Sequence, residues 1–347
     1  MLLKELCELN GASGIEKPVR ETLKRLVASY VDSITVDNIG NLLAKKEAQP
    51  NSPRVMIAAH MDEVGLMVTD ITADGLLKFQ AVGGIDARVL IAKHVRVGDG
   101  LSGVIGCKAV HLQKDHERNK ALQLDQLYID IGAKSREDAL KHVKPGDYAH
   151  FVTELESLGE GFLKAKAFDD RVGCAALAEL LQNSYELCVV GAFTVQEEVG
   201  LRGAQVAAYH VEPDFAIVLE GTISAEMLDV EEHHWVTQLG QGPVCSIMDN
   251  ATLYSPRLVR MVAEVAKDQG IPLQFRRSSS GGNDAGRIHL TKAGIPTIAL
   301  SVPCRYIHSP VSIIAERDFR NLIRLADAIL KALPQQLPRV LPARMDA

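Results

Sequence analysis

Aromatic side chains are scarce in this chain, with a single tryptophan and 5% Phe, Trp and Tyr together. That argues against a carbohydrate platform built on stacked rings. Runs of basic residues interleaved with aromatics are absent, and at a formal charge of -6 the chain carries no electrostatic footprint for nucleic acid. No apolar run reaches the roughly 18 residues of a membrane span. The opening Met1-Leu2-Leu3-Lys4-Glu5-Leu6 is broken by charge and lacks the long apolar stretch of a secretory signal. The six cysteines, Cys7, Cys107, Cys174, Cys188, Cys245 and Cys304, form no CxxC pair. Scattered in this way they fit reduced thiols better than a disulfide framework, and Cys174 and Cys188 lie in apolar segments where a thiol acts as a small hydrophobe. The expectation is a cytoplasmic protein that engages neither nucleic acid nor membrane. Internal repeats and low-complexity tracts are also missing.

What is present is a chain of 347 residues, enough for about two domains at roughly 150 residues each. A content of 47% hydrophobic and 24% charged residues is ordinary for a soluble enzyme. Val19, Leu23, Leu26, Val27 and Tyr30 recur at helical spacing and predict a helix over about Gly14–Tyr30. A β pair around Ile34–Asn41 and the run Val55–Ala59 follow. From about residue 67 to 161 the pattern changes to short strands with turn glycines, and no amphipathic helix is longer than Ser135–His142. Closely spaced turns predict a small β-barrel or sandwich. His111, Lys114, His116, Arg118 and Lys120 crowd one stretch of it that reads as an exposed loop. Strand–helix alternation then resumes: helix Asp169–Leu181, strand 187–194, a helix near Gly203–Ala208 and strand 214–219. A further helix begins at Ser255-Pro256 and stops at Gly270. Strand 271–276, strand 296–302 and a last amphipathic helix over about Glu316–Leu333 follow, with a loose tail from Pro334. The β module therefore interrupts an α/β domain.

Histidines and acids stand where apolar strands end. Val55–Ala59 runs into His60-Met61-Asp62, Leu187–Thr194 into Glu197-Glu198, Ala216–Leu219 into Glu220, and Pro296–Val302 leads on to His308. Asp169-Asp170-Arg171 opens a helix, where one carboxylate can bridge metals while the other pairs with Arg171. In open α/β sheets, ligands gather beyond the carboxyl ends of the strands. Five imidazole and carboxylate donors delivered there, by His60, the pair Asp169-Asp170, the pair Glu197-Glu198, Glu220 and His308, suit one or two borderline divalent metals such as zinc or cobalt, with manganese also acceptable. Asp62 sits where it can orient a ligand or a water. Of the adjacent pair Glu197-Glu198, one can bind metal while the other takes a proton. Gly281-Gly282-Asn283-Asp284 lacks the Lys-Ser/Thr ending of a P-loop; it is either a plain turn or a backbone contact for substrate through Gly282, Asn283 and Asp284. Glu231-Glu232-His233-His234, the densest run of donors, has no HExxH spacing and reads as a solvated segment.

Six segments in order, AAHMDEVG at 58–65, AFDDRVG at 167–173, QEEVGLRGAQ at 196–205, LEGT at 219–222, SGGNDAG at 280–286 and RYIHSP at 305–310, resemble the M42 family of metallo-aminopeptidases in the MH clan of dinuclear zinc peptidases. The resemblance implies a three-layer α/β/α domain, residues 1–66 and 162–347, interrupted by a small β-barrel-like domain at 67–161 with a part in oligomerisation. It implies His60 and Glu220 on one metal, Glu198 and His308 on a second, and Asp169 bridging them. Many members of the clan carry Asp where this chain has Glu220. It further implies Glu197 as general base, Asp62 steering His60, peptides cleaved at their first residue, and self-assembly into a hollow twelve-subunit particle. Three other readings compete. One is a related deacylase or carboxypeptidase of the same clan. Another is a silent peptide-binding scaffold. A glycoside hydrolase would use two carboxylates but has no task for five metal donors.

Overall fold

The computed structural model describes residues 2–115 and 119–340. The expected loop residues His116 and Arg118 lie outside them, whereas His111, Lys114 and Lys120 are exposed. In chain order the strands are β1 (Ser33–Val36), β2 (Leu42–Lys46), β3 (Arg54–His60), β4 (Gly65–Ile71), β5 (Leu77–Val82), β6 (His94–Val97), β7 (Leu101–Gly106), β8 (Tyr128–Asp130), β9 (Tyr148–Phe151), β10 (Glu156–Leu158), β11 (Phe162–Ala165), β12 (Cys188–Thr194), β13 (Phe215–Ile223), β14 (Val244–Cys245), β15 (Gln274–Phe275), β16 (Thr297–Cys304) and β17 (Ser312–Ala315).

An eight-stranded sheet in the order β1-β2-β12-β3-β13-β16-β14-β15 forms the middle layer. Its four central strands run parallel. Their residues alternate between two cores. Val55, Ile57, Val189, Phe193, Phe215, Ile217 and Leu219 face the helices Lys17–Val27, Phe168–Leu180, Pro256–Asp268 and Glu316–Val340. Met56, Ala58, Val190, Ala192, Ala216 and Val218 face Arg202–Val211 and Ala285–Ile288. Burial on both faces is why these strands read as continuous apolar runs rather than alternating ones. The interrupting segment closes into a barrel in the order β4-β5-β8-β7-β6-β9, filled by Leu66, Val68, Phe79, Val95, Ile105, Ile129 and Phe151. β10 pairs with β11, which pairs in turn with β17, a late strand that follows His308.

Some expectations shift. A short helix at Leu2–Glu8 was not anticipated; it buries Leu3, Leu6 and Cys7 despite its charges. Strand 271–276 shrinks to Gln274–Phe275, and Glu220 lies inside β13 rather than at its end, paired with Ser301. The tail expected to be loose from Pro334 continues the last helix to Val340. Each proline removes one N–H donor, but Ile329, Leu330, Leu333 and Leu337 carry the buried face past Pro334 and hold the helix on the core.

Candidate metal-dependent active site

Four strands and the segments that follow them bring the flagged side chains together. His60 ends β3, Glu197 and Glu198 follow β12, Glu220 projects from β13, and His308 sits in the loop between β16 and β17. Asp169 lies between the two imidazoles: its Oδ1 is 3.3 Å from His60 Nε2 and its Oδ2 is 3.4 Å from His308 Nε2. Glu198 Oε2 is 3.3 Å from His308 Nε2, and Glu197 Oε2 is 4.0 Å from His60 Nε2. Glu220 shares the cleft with His60, Asp169 and Glu197. Its Oε1 accepts from Ser301 Oγ at 3.0 Å and from Asn283 Nδ2 at 3.1 Å.

The local backbone explains the aim of these groups. Asp169 and Asp170 have non-helical dihedrals at the start of Phe168–Leu180, and the peptide between them is cis. Asp170 does not pair with Arg171 as the sequence led one to expect. Its carboxylate accepts from the His60 N–H at 3.0 Å and the Gly173 N–H at 2.8 Å, fixing the end of β3 to the helix. Arg171 turns away to Glu63 and the Leu6 carbonyl. Asp62 also anchors its neighbours. Its two oxygens accept from the N–H groups of Glu197 at 3.0 Å and Glu198 at 3.1 Å, and from Ser13 Oγ at 2.6 Å. His60 Nδ1 meets the Asp62 carbonyl at 3.1 Å. Ala167, Gln196 and His308 adopt left-handed φ of 56°, 55° and 57°. Such strain in non-glycine residues costs about 1–3 kcal/mol each and gathers at functional sites.

The electrostatics fit cation ligands. Burial pushes the Glu198 carboxyl up to about 7 and Glu220 up to about 8, the latter with a further push from Asp169. Burial also raises Glu197 well above the carboxylate range; Glu198 adds to this and His60 opposes it. Burial disfavours protonated imidazole at both histidines, yet Glu197 and Asp169 hold His60 well above its ordinary value, and Glu198 and Asp169 hold His308 at about 9. Burial likewise opposes ionisation of Asp169, but the two histidines outweigh it and hold its carboxyl low. Glu198 Oε1 is buried with no hydrogen-bond partner among the described residues. Ligand atoms of Asp169, Glu198 and His308 lie within 4.8 Å of one another. A crowd of buried and half-buried carboxylates with an unspent lone pair and two imidazoles is the donor set that a divalent cation satisfies.

The Gly-rich loop divides. Gly282 lines the cleft. Asn283 and Asp284 are buried and turned toward protein, Asn283 to Glu220 and Asp249, and Asp284 to Thr194 Oγ1 at 2.6 Å; neither faces the cleft as a substrate contact would. Glu231, His233 and His234 lie exposed on a short turn. Ser13, Ser301 and Arg276 escaped the sequence reading. Nothing local marks them, because none of the three stands inside a donor motif.

The family model for M42 glutamyl aminopeptidases matches residues 40–325, and the chain belongs to that family. It is therefore an aminopeptidase, a hydrolase of peptide bonds. A lysyl aminopeptidase of Pyrococcus furiosus is 33% identical over 96% of this chain and 96% of its own length. An aminopeptidase of the archaeon Desulfurococcus kamchatkensis superposes with a TM-score of 0.94 at 36% identity, covering 99% of this chain and 98% of that one. The TET1 peptidase of Pyrococcus horikoshii, whose structure is described as assembling into a tetrahedron or a large octahedral shell, gives 0.83 at 37% identity over 95% of this chain and 98% of that one. Among the described residues no helix is long and apolar enough to cross a membrane.

Proposed function

We propose that the protein removes the first residue of peptides by metal-dependent hydrolysis, with Glu197 as the group that moves the proton. The observation that carries this reading is Asp169, whose two oxygens each face a different imidazole with Glu197 beside one of them. His60 and Glu220 would hold one divalent cation, Glu198 and His308 a second, and Asp169 would serve both. The donors accept zinc or cobalt, and manganese as well. When bound, such cations polarise a carbonyl and lower the proton affinity of water. Glu197 takes the proton of the attacking water at its carboxylate and passes it to the departing amine. Its burial and the nearby Glu198 raise its proton affinity, which suits a group that must hold a proton between two steps. Asp62 keeps Glu197 and Glu198 in place through their main-chain N–H groups.

Glu197→Gln is expected to keep two equivalents of metal and to lose at least about a hundredfold in turnover of an amino-acyl anilide. Metal analysis beside steady-state rates tests this, and turnover near wild type removes Glu197 from the role. We also propose that the chain self-associates, as far as a dodecamer, with the barrel (β4 to β9) as a contact unit inserted into the catalytic domain. Exposed apolar side chains support this, among them Leu228 at 90% and, beside the barrel strands, Val110 at 70% exposure. Light scattering of the purified chain measures it. Free thiols at all six cysteines support a cytoplasmic setting.

A further inference from the structure

The segment that carries Glu197 is gripped by side chains from three distant places. Four successive main-chain N–H groups just after β12 each donate to a side-chain oxygen. Val195 donates to Asn41 Oδ1 at 3.0 Å and Gln196 to Glu16 Oε1 at 3.2 Å. Glu197 and Glu198 donate to the two oxygens of Asp62. Glu16 is the member of this grip that lies furthest off in the chain, 180 residues from Gln196. It is neither a candidate ligand nor the proton carrier, yet it is only 4% exposed, at the start of the helix Lys17–Val27. The same Oε1 also accepts the Gly14 N–H at 2.8 Å. The loop before Glu16 is itself fixed. Ser13 Oγ donates to Asp62, and Tyr148 Oη, from barrel strand β9, donates to the Ser13 carbonyl at 3.0 Å.

Gln196 is the residue that needs holding. Its φ of 55° is left-handed, a conformation that a residue with a side chain keeps only when its surroundings enforce it. It directly precedes Glu197, so a relaxation of its backbone swings the Glu197 carboxylate. We propose that Glu16 is a positioning residue for the proton transfer: by accepting the Gln196 N–H it fixes the backbone from which Glu197 reaches the reacting water. The proposal rests on the aminopeptidase reading with Glu197 as proton carrier and adds a residue to it. Glu16 acts through the main chain alone. A shift of about 1 Å in a reacting group costs about a hundredfold in rate, so a single lost hydrogen bond here is expected to show in kcat. One oxygen accepts both N–H groups, and the amide oxygen of a glutamine can do the same.

The test uses metal-loaded protein and the amino-acyl p-nitroanilide that the wild type cleaves fastest. Glu16→Ala is expected to lower kcat by about 10- to 100-fold, with KM within about twofold and two equivalents of metal retained. Glu16→Gln should return kcat to within about threefold of wild type. Glu16→Met fills a similar volume without an oxygen and takes the place of the alanine variant if that one does not fold. The decisive comparison is made in Glu197→Gln protein. A residue that acts through Glu197 has nothing left to position there, so adding Glu16→Ala should change the residual rate by less than about twofold. A role in stability alone lowers the rate by the same factor in both backgrounds and overturns the proposal. So does an unchanged kcat in Glu16→Ala, or a loss of metal from it, which would place the effect on Glu198. These three outcomes leave the peptidase reading standing. Wild-type protein that cleaves no free-amine anilide, or Glu197→Gln protein as fast as wild type, ends both.

Discussion

Asp62 illustrates how much one carboxylate can organise. It is fully buried, and an ionised carboxylate there can only accept. Burial works against its charge, but His60, Ser13 and the Glu197 N–H outweigh burial and hold its pKa below the ordinary value. An amide of the same shape cannot accept at both ends. Asp62→Asn turns a donor toward groups that themselves donate, the Ser13 hydroxyl or the main chain of Glu197 and Glu198. Activity is expected to fall by about 10- to 100-fold, the usual cost of losing a group that orients metal ligands, with metal retained less tightly. Kinetics and metal analysis after dialysis check this; unchanged kcat at full metal loading contradicts it. The spacing after His60 marked Asp62 as a group that orients a ligand or a water, but not its hold on the main chain of Glu197 and Glu198. The role of Asn283 was not legible: its chain position suggested substrate, whereas its burial gives it to Glu220.

Between elements, close approach decides the geometry. The helix Phe168–Leu180 lies on β13 so tightly that a Cβ at Gly173 would sit 2.4 Å from Asp170 Oδ1 and 2.6 Å from the Leu219 carbonyl. Gly173→Ala must push the helix off the strand that carries Glu220, at a cost of about 1–3 kcal/mol or more. Urea unfolding with metal analysis should show both lower stability and weaker metal retention. Glu63, just after β3, is the anion of a buried ion cluster. It meets Lys166 Nζ at 2.7 Å, Arg171 Nη2 at 3.3 Å and the Gly11 N–H at 3.1 Å. It thereby ties the loop after the first helix, the residue following β11 and the helix Phe168–Leu180 to the entrance of the barrel. Glu63→Gln leaves two buried cations without their anion and is expected to cost about 3–5 kcal/mol. A denaturation midpoint within error of wild type refutes this. The text around Glu63 gave no hint of the cluster, since its partners are 103 and 108 residues away.

Stability of the chain as a unit should depend on pH through the same side chains that would hold metal. Glu198 and Glu220, raised from 4.5 to about 7 and about 8 by burial, and His308, raised from 6.5 to about 9 by Glu198 and Asp169 against burial, all hold protons more tightly when folded. The folded chain therefore binds more protons than the unfolded one from about pH 4.5 to about 9, and its stability falls as pH rises through that window. Asp62 and Asp169 act in the opposite sense; their contribution is present above their ordinary value of 3.8 and is lost only as pH falls below it. Metal-free protein is thus expected to melt at lower temperature as pH rises from about 5 to about 9. Added zinc competes with these protons, so the rise in Tm that it produces should grow over the same interval. Thermal melts with and without chelator test both slopes, and a metal-free Tm that climbs with pH contradicts the account.

Local text determined most of the strands and helices, the presence of a separate β module, and which acids and histidines are candidate donors. These follow from side-chain periodicity and from the chemistry a residue carries wherever it lies. Tertiary structure decided which carboxylate of the pair 169–170 faces the histidines, that Arg171 serves Glu63, that Asn283 supports Glu220, and that Arg276 reaches the cleft from an edge strand. Each of these is a contact between segments distant in the chain. Its direction depends on sheet order, strand sense and burial, none of which a run of neighbouring residues can specify.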